Sequence, residues 1–459
     1  MAESLLMTRD GIDQVRQALA DEDLDGWLLY EFRGANPISK AMLGVGKTTR
    51  RAFVLVPREG EPRALIHAIE GSSWRHWPWA KESYSGWREM EAALEGLLRG
   101  GGRLAMEVSP GAAVPTLDYV PAGMAEVLLR SGVELASSGN LVSRFYSVWT
   151  KGQLADHREA AEILPAVARQ AYEMAAEAIR RGSPTNEGAL SDWIRSELTR
   201  RELSELPDCI VAVGRTAADP HYAPEGDGET IRRGDLLLID LWGGRPGSVP
   251  ADQTWMGLMG ASVDSRTQEI WEAVRDARDA AVAFLEERFA AGEDVRGFEV
   301  DDVSRNVITE RGYGEQFVHR TGHSIDTLLH GSGPNLDNLE TRDDRLLIPG
   351  VGFSVEPGIY LPGDIGVRSE INVYWSADGP LVTPAEIQRE ISPFLDDLPQ
   401  GALRGPGSRS LSRSLSTGRS PTGRRERPHH EVPGCWCPSV GRRASVGSWG
   451  PDRRSPSAG

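Results

Sequence analysis

Residues 353–375 read FSVEPGIYLPGDIGVRSEINVYW, and the interpretation of the whole chain starts from this stretch. Its apolar, β-rich character predicts two strands, Phe353–Tyr360 and Val367–Trp375, which a Pro/Gly turn joins into a hairpin. Because strand side chains alternate between two faces, Arg368 and Glu370 are expected to share one face of the second strand.

Two carboxylates are embedded in this largely apolar hairpin. Glu356 belongs to the first predicted strand and Glu370 to the second. Burying a lone carboxylate costs several kcal/mol or more, so each of them needs a cationic partner. Arg368 is one candidate partner, and a metal ion is the other.

The composition is that of a globular protein with an acidic body and a basic tail. The 459 residues are 39% apolar and 26% charged, with a net charge of −16, and this length is typical of two or three domains. Residues 1–400 contain 40 basic and 64 acidic side chains, whereas residues 401–459 contain eleven arginines and three acids. The acidic body argues against nucleic acid as a partner.

The cysteines and the N-terminus predict a cytoplasmic protein. Cys209 is the single cysteine of residues 1–400, so this part of the chain cannot form an internal disulfide, as is typical of a reducing compartment. The first residues lack the apolar core of a signal peptide. No run of about 18 apolar residues predicts a membrane span.

Three segments differ in their sequence pattern. Residues 1–150 predict an α/β domain in which helices alternate with short strands such as GWLLYEF and RAFVLVP. Residues 151–398 predict a helix pair and strands, followed by a second helix pair and more strands, QFVHRTG among them. This order is typical of two similar halves around one sheet core.

The last segment, residues 399–459, is rich in Arg, Ser, Gly and Pro and has little to bury, so it is predicted to be disordered. Cys435 and Cys437 lie near two histidines there, but no surrounding fold supports a zinc site.

Two features of the first domain invite a functional interpretation. The segment SSWRHWPWA, residues 72–80, contains three tryptophans; packing in a core or at a domain interface is favoured over substrate contact. GVGKTTR, residues 44–50, resembles a phosphate-binding loop, but Ala41 stands where that motif requires glycine. Nucleotide binding is therefore not expected.

Five polar residues lie in or next to apolar predicted strands of the second domain: Asp240, Asp252, His323, Glu356 and Glu370. One such acid is usually a satisfied structural carboxylate. Four acids brought together would repel one another, and two divalent cations would offset that repulsion. Mixed oxygen and nitrogen ligands suit Mn²⁺, Co²⁺, Zn²⁺ or Fe²⁺.

With these five residues in this order, and with the motifs HRTGH, EPGIY and GVRSE, the chain resembles the pita-bread metallopeptidases. That family includes aminopeptidase P, prolidase and methionine aminopeptidase. The preceding α/β domain resembles the creatinase/prolidase N-terminal domain, which indicates the proline-specific branch. The resemblance implies an α+β catalytic domain with pseudo-twofold helix pairs on a curved antiparallel sheet. It also implies a homodimer.

The resemblance assigns a role to each ligand. Asp240 would bind one metal ion, Asp252 and Glu370 would bridge both ions, and His323 and Glu356 would complete the coordination of the second. A hydroxide bridging the two ions would be the nucleophile, with Glu356 as proton shuttle. Mn²⁺ is the preferred ion, with Co²⁺, Zn²⁺ and Fe²⁺ as alternatives.

Other residues would surround the substrate. By resemblance, His221 in DPHYAP would contact the scissile amide or the oxyanion, and His330 would line the pocket near the substrate proline. His319 would form the pocket wall or support the ligands from behind. Arg368 would orient carboxylates or bind the carboxyl end of the substrate, and Tyr360 would face the site.

The sequence departs from the family pattern in two places. Asp240 and Asp252 are separated by one residue more than is usual, and we expect the extra residue in the turn RPGSVP, because a slip within a strand would turn one aspartate outward. Ser324 and Asp326 stand where relatives have small residues. They alter the expected pocket wall next to the metal and therefore the preference for the residue before proline.

The implied function is hydrolysis of the Xaa-Pro bond, at the N-terminus of peptides or in dipeptides with proline in second position. A metal-dependent lyase or another hydrolase on the same scaffold is one alternative. A non-catalytic binding module is the other.

Overall fold

The computed structural model describes residues 4–224 and 226–396, which belong to one compact unit. The predicted tail at 399–459, with Cys435 and Cys437, lies outside the described residues. Within the described ranges, no helix is both long enough and apolar enough to cross a bilayer. The predicted domain boundary at residue 150 stays a prediction.

The N-terminal part is built on a six-stranded sheet of order β4-β3-β2-β1-β5-β6. Its strands are β1 (Gly26–Glu31), β2 (Ala52–Pro57), β3 (Arg63–His67), β4 (Ala80–Tyr84), β5 (Gly102–Met106) and β6 (Val133–Ser137). β2 is antiparallel to both of its neighbours, whereas the other pairings are parallel. Five strands therefore point in one direction, and their carboxyl ends lie at one edge.

Helices cover both faces of this sheet. They are α1 (Arg9–Asp21), α2 (Pro37–Leu43), α3 (Trp87–Leu97), α4 (Ala122–Arg130) and α5 (Gly139–Phe145). Trp27 and Leu29 of β1 pack with α1, α2 and α5, whereas Leu28 and Tyr30 pack with α3 and α4. The alternation of β1 thus separates two apolar layers.

Most of this domain agrees with the sequence prediction. The sequence prediction did not include β4 and β6, because both are short and mostly polar or exposed on the sheet edges. Trp74 and Trp77 are buried in the core, which confirms the packing interpretation of the tryptophan segment. In the GVGKTTR loop, the backbone N–H of Thr49 donates to Glu70, so that donor is already satisfied by the protein.

The second part begins with two helices and an antiparallel meander. The elements are α6 (Lys151–Arg180), α7 (Glu187–Arg200), β7 (Glu205–Val213), β8 (Leu236–Gly244) and β9 (Ala251–Leu258). Thr150 caps α6, and Pro165 lies within it. The apolar spacing of Ala160, Leu164, Val167 and Ala171 predicts Met174 on the buried stripe of α6, but Met174 is 42% exposed. Tyr172 and Ala175 take the buried positions instead, because 3.6 residues per turn rotate the stripe past Met174.

A second pair of helices and further strands follow. They are α8 (Ser265–Ala291), α9 (Gly297–Glu310), β10 (Ser324–Ile325), β11 (Gly352–Val355), β12 (Gly358–Leu361), β13 (Ile365–Arg368), β14 (Ile371–Ser376), β15 (Gly379–Thr383) and β16 (Ser392–Pro393). β7, β8, β9 and β16 form one four-stranded sheet, β10, β11, β14 and β15 form another, and β12 and β13 form a hairpin. The predicted repetition of helix pair and sheet is therefore present.

The hairpin of residues 353–375 differs from the prediction, because each of its two strands is broken in the middle. β11 pairs with β14, and β12 pairs with β13. The first break falls at Glu356 and Pro357, where proline has no N–H to donate to a ladder. The second break falls opposite, at Ser369 and Glu370. Both embedded acids therefore leave the ladder at the same level.

The strand predicted for QFVHRTG, residues 316–322, was wrong. Side chains of α9 satisfy the backbone of this segment in place of a partner strand. Arg305 donates to the carbonyls of Phe317 and His319, and Asp301 accepts the N–H of Thr321. The sequence of the segment gave no sign of these polar anchors, because they belong to another element.

Candidate metal centre

Asp240 and Asp252 lie on one face of the β7–β9 meander. Asp240 of β8 is opposite Thr254, and Asp252 of β9 is opposite Trp242. Trp242 follows Asp240 by two positions on β8, and Asp252 is its partner on β9, so the two aspartate side chains point to the same face. The β8–β9 ladder keeps a single register, so no irregularity interrupts these strands between the two aspartates outside the turn at 245–250.

The broken hairpin brings Glu370 and Asn372 against β9. The N–H of Glu370 donates to the carbonyl of Thr254 at 3.4 Å. The Asn372 amide accepts from the N–H of Asp252 at 2.9 Å and donates to its carbonyl at 2.7 Å. Asn372 therefore takes the place of a strand partner where the two sheets meet and fixes the backbone of Asp252.

His323 reaches the same point from the segment before β10. Its backbone N–H donates to the Ser354 hydroxyl at 2.9 Å. Its Nδ1 lies 3.1 Å from the carbonyl oxygen of Ser324, which makes Nδ1 the donor and leaves the lone pair on Nε2. Nε2 lies 3.4 Å from both Asp252 Oδ2 and Glu356 Oε1.

The structure therefore brings the predicted ligands together. One potential ligand atom each from Asp252, His323 and Glu370 lie within 4.8 Å of one another. Asp240 adjoins this group on β8, and Glu356 adjoins it through His323. All five side chains are 14% exposed or less.

Three buried carboxylate oxygens of this cluster have no hydrogen-bond partner: Asp240 Oδ1, Asp252 Oδ1 and Glu370 Oε1. Buried anionic oxygens are ordinarily satisfied, because an unpaired buried charge is costly. Three orphaned oxygens converge beside an imidazole lone pair, an oxygen-rich donor set that suits divalent cations. The residues present thus fit a metal site.

The raised pKa values of these acids also indicate a metal site. Burial raises the pKa of Asp240, Asp252 and Glu370, and repulsion between the carboxylates raises each further. Three neighbouring acids that resist ionisation need positive charge before they can serve as anionic ligands.

Glu356 differs from the other acids. Burial raises its pKa too, but the neighbouring His323, His319 and Arg368 side chains favour the ionised carboxylate and outweigh burial, so the pKa lies below its ordinary value. Its side chain is 14% exposed, against 6% for Asp252. Glu356 is therefore the ligand candidate that combines an ionised carboxylate with access from outside.

Arg368 lies behind the acids rather than in the open pocket. Its guanidinium donates to Asp240 Oδ2 at 2.5 Å, to Thr254 Oγ1 at 2.8 Å and to the Tyr360 hydroxyl at 3.3 Å. We expected it to share a face with Glu370, and both do turn toward β9. Arg368 reaches Glu370 only through Thr254, whose hydroxyl donates to Glu370 Oε2 at 2.8 Å.

His319 and Tyr360 extend this network to the pocket wall. His319 Nδ1 donates to the carbonyl of Arg320 at 2.7 Å, and Nε2 accepts from the Tyr360 hydroxyl at 2.8 Å. Burial lowers the pKa of His319, which keeps the ring neutral and suited to this pairing. His319 thus supports Tyr360, and Tyr360 accepts from Arg368.

Two further histidines lie at the exposed side of the cluster. The His330 ring meets the His323 ring edge to face at 4.5 Å between centroids. Burial, followed by the charge of His323, lowers the pKa of His330 to about 4, and His221 is near enough to contribute. His221 and His330 both reach the surface, although part of the His330 ring is covered where it packs against His323.

Ser324 and Asp326, the two departures from the family pattern, anchor the loop that carries His330. The Asp326 carboxylate accepts the N–H of Leu328 and the N–H of Ser332, each at 2.8 Å. The Ser324 hydroxyl accepts the N–H of Gly333 at 3.0 Å. These bonds close both ends of the loop, so the two residues shape the pocket wall by fixing the position of His330.

Sequence reasoning missed Thr254, Ser354 and the loop-anchoring role of Asp326. Thr254 had a detectable signal, since it follows Asp252 by two residues and therefore shares its face. Ser354, which donates to Glu356 Oε1 at 3.0 Å, likewise precedes Glu356 by two. Asp326 had no such signal, because its partners are backbone groups of a loop.

Comparison with known proteins finds similarity over the second part of the chain. Residues 155–377 match the model of metallopeptidase family M24. A Xaa-Pro dipeptidase from Lactobacillus delbrueckii subsp. lactis is 34% identical over 223 residues, which is 48% of this chain and 55% of that protein. The chain thus spans about half the length of the curated relatives it matches.

Solved structures extend the likeness in fold to the N-terminal part. Dipeptidase PepE from Mycobacterium ulcerans superposes with a TM-score of 0.65 at 20% identity, covering 85% of this chain and 99% of that one. A recombinant prolidase from Thermococcus sibiricus gives 0.57 at 21% identity, covering 83% and 98%. Residues 155–377 thus match metallopeptidase family M24, and the chain shares the pita-bread fold of these solved structures.

Proposed function

We propose that the chain is a metallopeptidase that hydrolyses the bond between an N-terminal residue and proline, with Xaa-Pro dipeptides as substrates. The observation that carries the proposal is the buried group of Asp252, His323 and Glu370, whose ligand atoms lie within 4.8 Å beside three orphaned carboxylate oxygens. The Lactobacillus relative is a Xaa-Pro dipeptidase, which supports dipeptides over longer peptides as substrates.

The proposed cofactor is a pair of divalent ions, preferably Mn²⁺, with Co²⁺, Zn²⁺ or Fe²⁺ as alternatives. The ligands would be Asp240, Asp252, His323, Glu356 and Glu370. A bound pair of such ions lowers the pKa of a water molecule, so that a hydroxide nucleophile exists near neutral pH, and it polarises the scissile carbonyl.

Glu356 is the proposed proton shuttle. Its pKa is lowered, so it is ionised and can accept a proton, and its side chain is the most exposed of the cluster. Ser354 donates to Oε1 at 3.0 Å, which holds that oxygen and leaves the other to exchange protons with water and with the leaving nitrogen.

The exposed histidines are proposed to meet the substrate. His221 would contact the scissile amide or the oxyanion, and His330 would line the pocket beside the proline ring. His319 is half-buried with both ring nitrogens engaged, so we propose that it forms the wall and supports Tyr360.

Arg368 is proposed to orient Asp240 rather than to bind the carboxyl end of the substrate. It is 4% exposed, and its bonds to Asp240, Thr254 and Tyr360 leave little of it for a ligand. The homodimer and the cytoplasmic location stay predictions.

The test measures metal content and dipeptide hydrolysis on the same preparations. Purified protein is loaded with Mn²⁺ and desalted, the bound metal is quantified, and release of proline from Gly-Pro is compared with cleavage of Gly-Pro-Pro. We expect stoichiometric metal and faster turnover of Gly-Pro. Asp252→Asn should lose both metal and turnover. Asp378→Asn, in the exposed β14–β15 turn, is the matched control and should retain both.

Two outcomes would contradict the proposal. Protein that retains no metal after loading would favour a non-catalytic binding module. Protein that retains metal but cleaves neither peptide would favour another reaction on the same scaffold.

A further inference from the structure

A polar cavity lies in the N-terminal part, and no residue of the metal centre lines it. It has a volume of about 570 Å³, within the range of small-ligand sites, and every residue that lines it falls between positions 30 and 127. It opens where β1, β3 and β4 end and where α4 begins. Crevices at the carboxyl ends of parallel strands are common binding places in α/β sheets.

The cavity is cationic. Arg33, Arg50 and Arg51 line it, and no Asp or Glu side chain does. Elsewhere in the same sheet Arg58 and Arg103 each pair with a carboxylate. In the described ranges, by contrast, the three cavity arginines make no ion pair, although the body of the chain has a large excess of acids.

Flat aromatic surface faces the same space. Tyr30 and Tyr84 form the buried floor, and each is 4% exposed. Trp87 stands at the rim with 54% of its surface exposed, although a large apolar side chain ordinarily prefers burial. The Tyr84 hydroxyl donates to the backbone carbonyl of Arg51 at 2.8 Å, which fixes this arginine against the floor.

The remaining polar groups near the cavity do not compete for an anion. Backbone groups engage both ring nitrogens of His67, since Nδ1 accepts the N–H of Ile69 and Nε2 lies 3.1 Å from the carbonyl oxygen of Ser85. At the opposite wall, no side chain caps the N-terminus of α4, so its first N–H groups add positive potential.

From these observations we propose that the cavity binds a small organic anion, namely a phosphate or carboxylate attached to a flat ring. Guanidinium groups bind such oxyanions in a bidentate manner. The ring would lie over the tyrosine floor with Trp87 at its edge. This site is independent of the proposed peptidase activity, because none of its residues belongs to the metal centre.

Titration calorimetry on the full-length protein tests the proposal with phenyl phosphate, benzoate, inorganic phosphate and phenol as probes. We expect one equivalent of phenyl phosphate or benzoate to bind, and the comparison of these two tells which oxyanion is preferred. Inorganic phosphate and phenol should each bind at least about tenfold more weakly, since each lacks half of the recognised structure.

Matched variants separate this site from general charge effects. The double variant Arg33→Gln/Arg51→Gln should weaken phenyl phosphate binding by about tenfold or more, because charge-assisted hydrogen bonds are lost. Arg58→Gln, at the other end of β2, should bind normally, and so should Asp252→Asn at the metal centre. Circular dichroism checks that each variant is folded, and the single variant Arg51→Gln serves if the double variant is not.

Three results would overturn the proposal. One is the absence of binding by both ring-bearing anions at about 1 mM. Another is unchanged affinity in the folded arginine variants. The third is inorganic phosphate that binds as tightly as phenyl phosphate.

Discussion

Thr254→Val removes one hydroxyl group and changes the metal centre without touching a ligand. That hydroxyl donates to Glu370 Oε2 and accepts from Arg368 Nε, each at 2.8 Å. Valine has nearly the same shape as threonine, so packing in β9 is preserved. Without the hydroxyl, Glu370 Oε2 loses its hydrogen-bond donor. The other oxygen, Oε1, already has no hydrogen-bond partner.

The size of the effect follows from the charged hydrogen bonds lost. A hydrogen bond to a charged group contributes about 1.5–3 kcal/mol. Residues that orient metal ligands typically change metal affinity by about 10–100-fold when they are replaced, which corresponds to about 1.4–2.7 kcal/mol. The two ranges agree, so we expect affinity for Mn²⁺ to fall by about 10–100-fold.

The assay is a titration of metal-free protein with Mn²⁺, accompanied by urea unfolding. Thr267→Val is the matched control, since its hydroxyl also donates to a carboxylate, Asp264 Oδ2 at 2.6 Å, but at the start of α8. The control should lose stability and keep its metal affinity. If Thr254→Val binds Mn²⁺ as tightly as the unaltered protein, then Thr254 does not orient Glu370, and the link from Arg368 to Glu370 through Thr254 does not matter for metal binding.

Three further predictions concern other parts of the fold. Asp326→Ala should lower kcat/KM for Gly-Pro by about tenfold at unchanged Mn²⁺ affinity, because the His330 loop loses both anchors, and Asp326→Asn should restore part of it. Gly322→Ala should cost about 1–3 kcal/mol in urea unfolding and weaken Mn²⁺ binding, since its Cβ would lie 2.0 Å from the Ser354 carbonyl. Burial lowers the pKa of His157 to about 4. The buried neutral imidazole therefore stabilises the fold fully above pH 6.5, and this contribution is lost as the pH falls to 4. The difference in free energy of unfolding between the unaltered protein and His157→Gln should shrink by about 3 kcal/mol over that interval.

The sequence was informative where burial alone decides structure. The apolar strands of both sheets and the stripes of the long helices were predictable because alternation and 3.6-residue spacing report which face is buried. The positions of Asp240 and Asp252 followed from that alternation once the extra residue was placed in the turn. The same alternation predicted that Arg368 and Glu370 share a face, and both turn toward Thr254 of β9.

The sequence was uninformative where polar groups replace a regular ladder. QFVHRTG was predicted as a strand, yet Arg305 and Asp301 satisfy its backbone from another element. The break at Glu356 was visible as a proline, but the matching break at Glu370 depends on the N–H of Glu370 turning to Thr254. Side-chain partners that are distant in sequence leave no periodic signal, so such segments look like ordinary strands.

The same irregularities explain why the acids converge. In an unbroken hairpin Glu356 and Glu370 would alternate with apolar neighbours and remain within their own sheet. Because both strands break at one level, the two glutamates leave the ladder together, and Asn372 joins β14 to the backbone of Asp252 on β9. Two aspartates of the first half thus meet a histidine and two glutamates of the second. A cation held there would bind both halves at once, and this would offset the cost of the orphaned oxygens that the metal-free fold contains.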